Sequence, residues 1–209
     1  MSTVRYILGL DVSICHAGWA LYDKADDKFT YGVIEPPESM KDFLARMDFV
    51  RSQIVALLPG TVATWKDTVF VTLEGLAFAA QGNVALQLAG VGYFVRHALW
   101  RAGIKFKDIT PNQGKKFLTG KHQCDKDVIL KWVYKVYRNP DGSRVDVDDD
   151  NVADAVNFNM IGRAMLGWRD CENVAQRQVL ADLLAGPKVK VKKTKKKASK
   201  KAAEETVAA

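Results

Sequence analysis

Residues that staple or ligate are scarce in this chain: 209 residues contain three cysteines and three histidines. Cys15, Cys124 and Cys171 lie far apart and form no pairable pattern, which suits a reducing compartment. His16, His97 and His122 show no metal-ligand spacing, so a zinc site is not expected. No apolar stretch approaches the roughly 20 residues that a membrane span needs. The N-terminus lacks a basic segment followed by an apolar run and a cleavage site. A cytoplasmic protein without membrane contact is therefore expected.

A net charge of +7 is the most visible bias, and it is not spread over the chain. Residues 187–209 hold nine lysines against two glutamates, whereas residues 1–186 hold 22 cationic and 22 anionic side chains. The neutral body is polarised along its length. Residues 1–95 carry seven cationic and ten anionic groups, residues 96–144 twelve and four, and residues 145–186 three and eight. A basic middle thus lies between two acidic segments. The body, 1–186, is long enough for one substantial core and reads as a single domain. The tail, 187–209, has no apolar periodicity and reads as a disordered lysine-rich arm.

The body alternates between strand and helix patterns. Val4 to Asp11 is an apolar run ending in a carboxylate, and His16 to Asp23 and Lys28 to Glu35 are rich in aromatic and β-branched residues around the turn Ala25-Asp26-Asp27. These make a three-strand antiparallel meander. Met40 to Leu58 carries an apolar stripe at helical spacing, stopped by Pro59-Gly60. Thr68 to Glu74 is a β-branched strand that again ends in a carboxylate; Gly82 to Ala102 is helical and Ile104 to Ile109 a short strand. Thr110-Pro111 caps and opens a short helix that stops near Gly120. Further helices are expected over Lys126 to Tyr137, Asp150 to Gly167 and Glu172 to Leu184. The pattern predicts an α/β sheet.

Four acids stand out by position. Asp11 and Glu74 end two strands whose carboxyl ends are expected to be neighbours. Asp150 and Asp154 are spaced i, i+4 and Asn151 and Asp154 i, i+3, so the three can share one face at a helix start. Carboxylates gathered in one pocket repel each other and call for a cation. Ligation by oxygen alone suits Mg²⁺ or Mn²⁺, and two such ions about 4 Å apart could drive phosphodiester hydrolysis. The basic middle would hold the nucleic acid. An Asp that ends a strand or caps a helix is also an ordinary structural feature, and the Asp148–Asp150 run can equally be a solvated helix start.

These residues resemble the RuvC-type Holliday junction resolvases of the RNase H-like nuclease superfamily. The stretches that carry the resemblance are Ile7-Leu8-Gly9-Leu10-Asp11 with Gly18-Trp19, Leu73-Glu74, Ala85 to Gly90, TPNQGKKFLTGKHQCDKDVI (Thr110 to Ile129), and Asp150-Asn151-Val152-Ala153-Asp154-Ala155. They follow one another in consistent order over residues 4–166. The resemblance implies an α/β fold of the RNase H-like kind, a five-stranded mixed sheet with its first three strands antiparallel, flanked by helices on both faces. It also implies metal-binding carboxylates at Asp11, Glu74 and Asp154, with the fourth ligand at Asp150 or Asn151. Asn151 stands where the commoner bacterial pattern has Asp. Lys115, Lys116, Lys121 and Lys126 fall in the family's phosphate-contacting stretch. Phe78 lies one residue beyond the place of its junction wedge, which Ala77 occupies here, and is a candidate for that role or for the core. The helix from Gly82 resembles the one through which the family dimerises.

The resemblance further implies a homodimeric endonuclease on four-way and branched DNA, dependent on Mg²⁺ with Mn²⁺ as a substitute, with two ions per site and no nucleotide cofactor. Each subunit would leave a 5′-phosphate and a 3′-hydroxyl. The departures from the bacterial pattern suggest a bacteriophage source, hence the cytoplasm of a bacterial or phage-infected cell. Two alternatives stay open: a related nuclease acting on flaps or RNA–DNA hybrids, and a catalytically silent junction binder, which Asn151 in place of an acid would suit.

Overall fold

The computed structural model describes residues 3–76, 82–122 and 124–186. Phe78 and the lysine-rich segment 187–209 lie outside the described residues, as does the side chain of Lys126. Strands β1 (Tyr6–Asp11), β2 (Ala17–Asp23), β3 (Lys28–Ile34), β4 (Val69–Glu74) and β5 (Lys105–Ile109) form one sheet in the order β3-β2-β1-β4-β5. β1, β2 and β3 pair antiparallel, and β4 and β5 run parallel to β1. Helices α1 (Phe43–Ala56), α2 (Val62–Thr68) and α3 (Gly82–Arg101) belong to one face. Helices α4 (Pro111–Thr119), α5 (Lys126–Val136), α6 (Asp150–Met165) and α7 (Val174–Ala185) build the other. The five-stranded mixed sheet flanked on both faces is the expected one. Among the described residues, no helix is long and apolar enough to cross a membrane.

Helix ends follow the local chemistry. Asp42 caps α1 by accepting from the Ala45 amide at 2.7 Å, and Thr110 caps α4 by accepting from Gln113 N at 3.3 Å while Gln113 Oε1 takes Thr110 N at 2.9 Å. Gly120 ends α4 at φ 79°, a left-handed conformation that glycine adopts without cost. Helix α2 is absent from the sequence reading, which ran the next strand from Thr68. Seven residues are too few to display a helical stripe; α2 is set by Thr61 N donating to Thr64 Oγ1 at 3.3 Å and by the buried Trp65, whose indole N–H reaches Pro59 O at 2.9 Å.

Alternation along the strands decides which side chains meet which layer. Leu8 and Leu10 of β1 and Val69, Val71 and Leu73 of β4 pack with α1 and α3. Ile7, Gly9 and Asp11, with Phe70, Thr72 and Glu74, take the opposite face, which α6 covers. Glycines let α6 lie flush on that face. A Cβ on Gly9 would stand 2.2 Å from Ala155 O, one on Gly18 2.0 Å from Asn151 O, and one on Gly162 2.9 Å from Ile7 Cγ2.

Buried polar groups fix the register of α6. Asn159 Nδ2 donates to Ile7 O at 2.8 Å and Ala20 O at 2.9 Å, and Thr72 Oγ1 donates to Phe158 O at 2.8 Å. Tyr137 donates its hydroxyl proton to Asn157 Oδ1 at 2.7 Å, while Asn157 Nδ2 donates to Gly114 O at 3.0 Å. Each such bond contributes on the order of 1 kcal/mol, and a buried amide left unpaired costs more. Helix α6 therefore has one axial setting on the sheet.

Candidate metal centre and nucleic-acid interface

The pairing Leu10↔Leu73 between parallel β1 and β4 leaves Asp11 and Glu74 side by side at the strand ends. Both side chains fall on the α6 face by the alternation above. On the other side, Asp11 pairs with Gly18, on which the Asn151 carbonyl of α6 rests. The first turn of α6 is thereby set down next to Asp11. Glu74, Asp150 and Asp154 all act on Asp11, although 143 residues separate Asp11 from Asp154.

Electrostatics records that proximity. Asp11 is 9% exposed, and its carboxyl is held well above the ordinary carboxylate range, first by burial. The charges of Glu74 and Asp154, a hydrogen bond with Glu74, and the charge of Asp150 push in the same direction. Acidic groups gathered around a buried carboxyl are a place where a cation would be favoured. The acidic groups around Asp11 offer oxygen alone, a chemistry that fits Mg²⁺ or Mn²⁺ and not a soft metal. Among the described residues, no three acidic, His or Cys side chains stand close enough to hold an ion without adjustment. A cation would have to draw them together against their present repulsion.

Asp149, next to this cluster, has a different task. Its side chain accepts from Asn151 N at 2.8 Å and Val152 N at 3.0 Å and so caps α6. The acidic run is thus partly a helix start, as the plainer reading had it, with Asp149 as the cap and Asp150 in the field of Asp11. Asn151 is half-buried, its backbone seated on Gly18. The helix N-terminus also directs roughly half a positive charge at the acids.

The basic residues divide into two groups. Lys115 Nζ donates to Cys124 O at 3.2 Å, and Lys115, Thr119, Lys121, Asp125 and Trp132 line an open cleft of about 430 Å³ between α4 and α5. Lys116 is half-buried and Lys121 exposed. Past this cleft, Lys131, Tyr134, Lys135, Arg138 and Arg144 are all exposed. Arg138 Nη1 reaches the Tyr137 carbonyl at 2.8 Å and Arg144 Nη1 the Tyr134 carbonyl at 3.1 Å, so both cap the end of α5. The Arg144 guanidinium lies 5.0 Å from the Tyr134 ring centroid and Lys135 Nζ 5.0 Å from that of Trp132. Sequence reasoning had only the net charge of the segment; Tyr134 and Arg144 are ten residues apart, and only the turn over 139–143 brings them together.

Helix α3 carries a different surface. Leu86, Tyr93 and Trp100 are 71%, 57% and 68% exposed and recur every seven residues, an apolar line along one side of the helix.

Comparison with solved structures gives Thermus thermophilus RuvC at TM-score 0.56, with 18% identity, 78% of this chain and 96% of that chain covered. The chain has the RuvC fold. T. thermophilus RuvC in complex with a Holliday junction substrate matches at TM-score 0.59 and 18% identity, covering 78% of this chain and 97% of that one. In sequence, the chain is 24% identical over 152 residues to the crossover junction endodeoxyribonuclease RuvC of Hyphomonas neptunium, covering 71% of this chain and 87% of that protein. No protein-family model matches. RuvC-like in fold and sequence, the chain carries its four acids on the two adjacent strand ends and the helix start described above.

Proposed function

We propose that this protein is a Holliday junction resolvase, a metal-dependent endonuclease that cuts four-way and branched DNA in recombination and repair. The observation that carries the proposal is the convergence of Asp11, Glu74, Asp150 and Asp154 at one end of a sheet with the RuvC fold. Asp11, Glu74 and Asp154, with Asp150 as fourth acid and the side-chain amide oxygen of Asn151 as a further donor, would hold divalent cations, Mg²⁺ with Mn²⁺ as substitute and two per site. Bound there, such ions neutralise phosphate charge and lower the pKa of attacking water. The protein supplies position. Strand pairing fixes Asp11 against Glu74, the glycine seats fix Asp150 and Asp154 over them, and burial of Asp11 removes bulk water from one side of the cluster. Attack on phosphorus leaves a 5′-phosphate and a 3′-hydroxyl.

The DNA path we assign runs from the Lys115 and Lys121 cleft to the exposed group Lys131, Lys135, Arg138 and Arg144, with Lys116 and Lys126 on the same two helices. Cations with aromatic neighbours suit a phosphate backbone. The segment 187–209 is assigned as an additional affinity arm without sequence preference. Removing it should weaken junction binding and flatten its salt dependence by about 0.9 in log–log slope for each phosphate that the arm had neutralised. Fluorescence-anisotropy titrations between low and moderate salt read that slope, and an unchanged slope would remove the arm from the account.

Paired cuts need two sites. The Leu86, Tyr93 and Trp100 line supports α3 as the face that meets a second copy, giving a twofold dimer with two acidic clusters. A substrate panel tests the reading: a resolvase makes symmetric paired nicks in a four-way junction with Mg²⁺. Preference for a flap or an RNA–DNA hybrid, with unpaired nicks, would favour the related-nuclease alternative.

A further inference from the structure

Arg96, on α3, is a cation placed deep in the fold, 8% exposed. Burying a guanidinium is costly unless its donors are met, and here they are met from three elements. Arg96 Nη1 donates to Gly92 O within α3 at 2.9 Å, Nη2 to the main-chain carbonyl of Glu74 at 2.5 Å, and Nε and Nη2 to Asp108 Oδ1 of β5 at 3.0 and 2.7 Å. The surroundings leave the guanidinium little freedom. A Cβ on Gly92 would lie 3.1 Å from Nη1 and 2.6 Å from Leu76 Cδ2. The Glu74 peptide is thus gripped from two sides, by Arg96 at its carbonyl and by β5 through the Gly75 amide, which donates to Ile109 O at 2.7 Å.

Glu74 has a reason to need that grip. It closes β4, its carboxylate faces Asp11 and adds to the repulsion there, and the chain leaves the sheet immediately after it. An unanchored strand end would relax away from the other acids. We propose that Arg96 is a positioning residue, which pins the Glu74 backbone so that the Glu74 carboxylate stays in reach of a divalent cation shared with Asp11. This rests on the metal-dependent reading above and adds to it a residue that touches neither cation nor DNA. Arginine is required by geometry, since a lysine ammonium cannot serve the Glu74 carbonyl and Asp108 in one plane.

The test is Mn²⁺ binding to the full chain without DNA, followed by electron paramagnetic resonance, for wild type, Arg96→Lys and Asp108→Asn. Outer partners of metal ligands typically change affinity by about 10–100-fold when removed. Arg96→Lys is therefore expected to weaken Mn²⁺ about tenfold, and Asp108→Asn by a smaller factor in the same direction. Raised Mn²⁺ should restore junction nicking in both. Asp108 is half exposed, so its variant decides the matter if Arg96→Lys fails to fold. Mn²⁺ titrations of a folded variant that superimpose on the wild type would overturn the proposal. Wild-type protein that binds Mn²⁺ but leaves junctions intact would overturn the resolvase reading and leave the role of Arg96 standing. Wild type without Mn²⁺ affinity would overturn both.

Discussion

Asp11→Asn is expected to melt several degrees above the wild type at neutral pH in the absence of divalent cations, while junction cutting falls by about 100-fold or more. The two effects share one cause. Burial, Glu74, Asp154 and Asp150 all raise the pKa of the Asp11 carboxyl. A carboxyl whose folded-state pKa lies above its unfolded value favours the fold when protonated, and that contribution is lost as pH rises through the folded value. The wild type should therefore match the variant below about pH 4, where the group is protonated folded or unfolded, and fall behind it as pH climbs. An amide keeps the shape of the protonated acid and does not titrate. Mg²⁺ or Mn²⁺ should close the gap from the wild-type side by stabilising it and leaving Asp11→Asn unmoved. Thermal melts over a pH series, with and without the cation, measure this. A variant less stable than wild type at pH 7 without metal would mean that Asp11 holds the fold together instead of straining it.

Gly18→Ala is expected to cost about 1–3 kcal/mol of stability or more, as overpacking of a close contact does, and to remove most of the cutting activity. The new methyl group would stand 2.0 Å from Asn151 O and 2.2 Å from its carbon, both main chain, so it can be housed only by moving α6. That movement carries Asp150 and Asp154 away from Asp11. Gly90→Ala is the matched control. It lies in α3, and its new methyl would meet only ordinary contacts, at 3.6 Å from Phe43 Cζ and 3.7 Å from Met47 Sδ. Helix propensity there favours alanine by roughly 0.5–1 kcal/mol. Urea unfolding of the two variants beside the wild type separates a local clash from a general intolerance of added bulk. Equal stability and activity in all three would show that α6 does not depend on the Gly18 seat.

Much of this was legible before any coordinates. Two apolar, β-branched runs that each close in a carboxylate placed Asp11 and Glu74 at the ends of two strands, and the i, i+4 spacing of Asp150 and Asp154 needed only a helix start beneath it. Thr110-Pro111 and Gly120 marked both ends of α4. Other features depend on contacts between distant residues and left no local trace. Gly9 and Gly18 read as strand residues until α6 is laid across them. Asn157 and Asn159 look out of place in an apolar helix, yet they bond Gly114, Ile7 and Ala20, residues 43 to 152 positions away. Arg96 reads as an ordinary helix cation, because its partners Glu74 and Asp108 lie on two separate strands. Helix α2 was missed because its signal, a threonine pair and one buried Trp65, is shorter than a helical repeat.

The central claim is that four acids brought together by β1, β4 and α6 form one cation-dependent cutting site. Its most direct test is cleavage of a synthetic four-way junction with Mg²⁺ or Mn²⁺ by wild type, Glu74→Gln and Asp154→Asn, with junction binding measured in parallel. Paired cuts by the wild type, abolished in both variants while binding remains, are the predicted result. Cutting by either variant at the wild-type rate would contradict the claim.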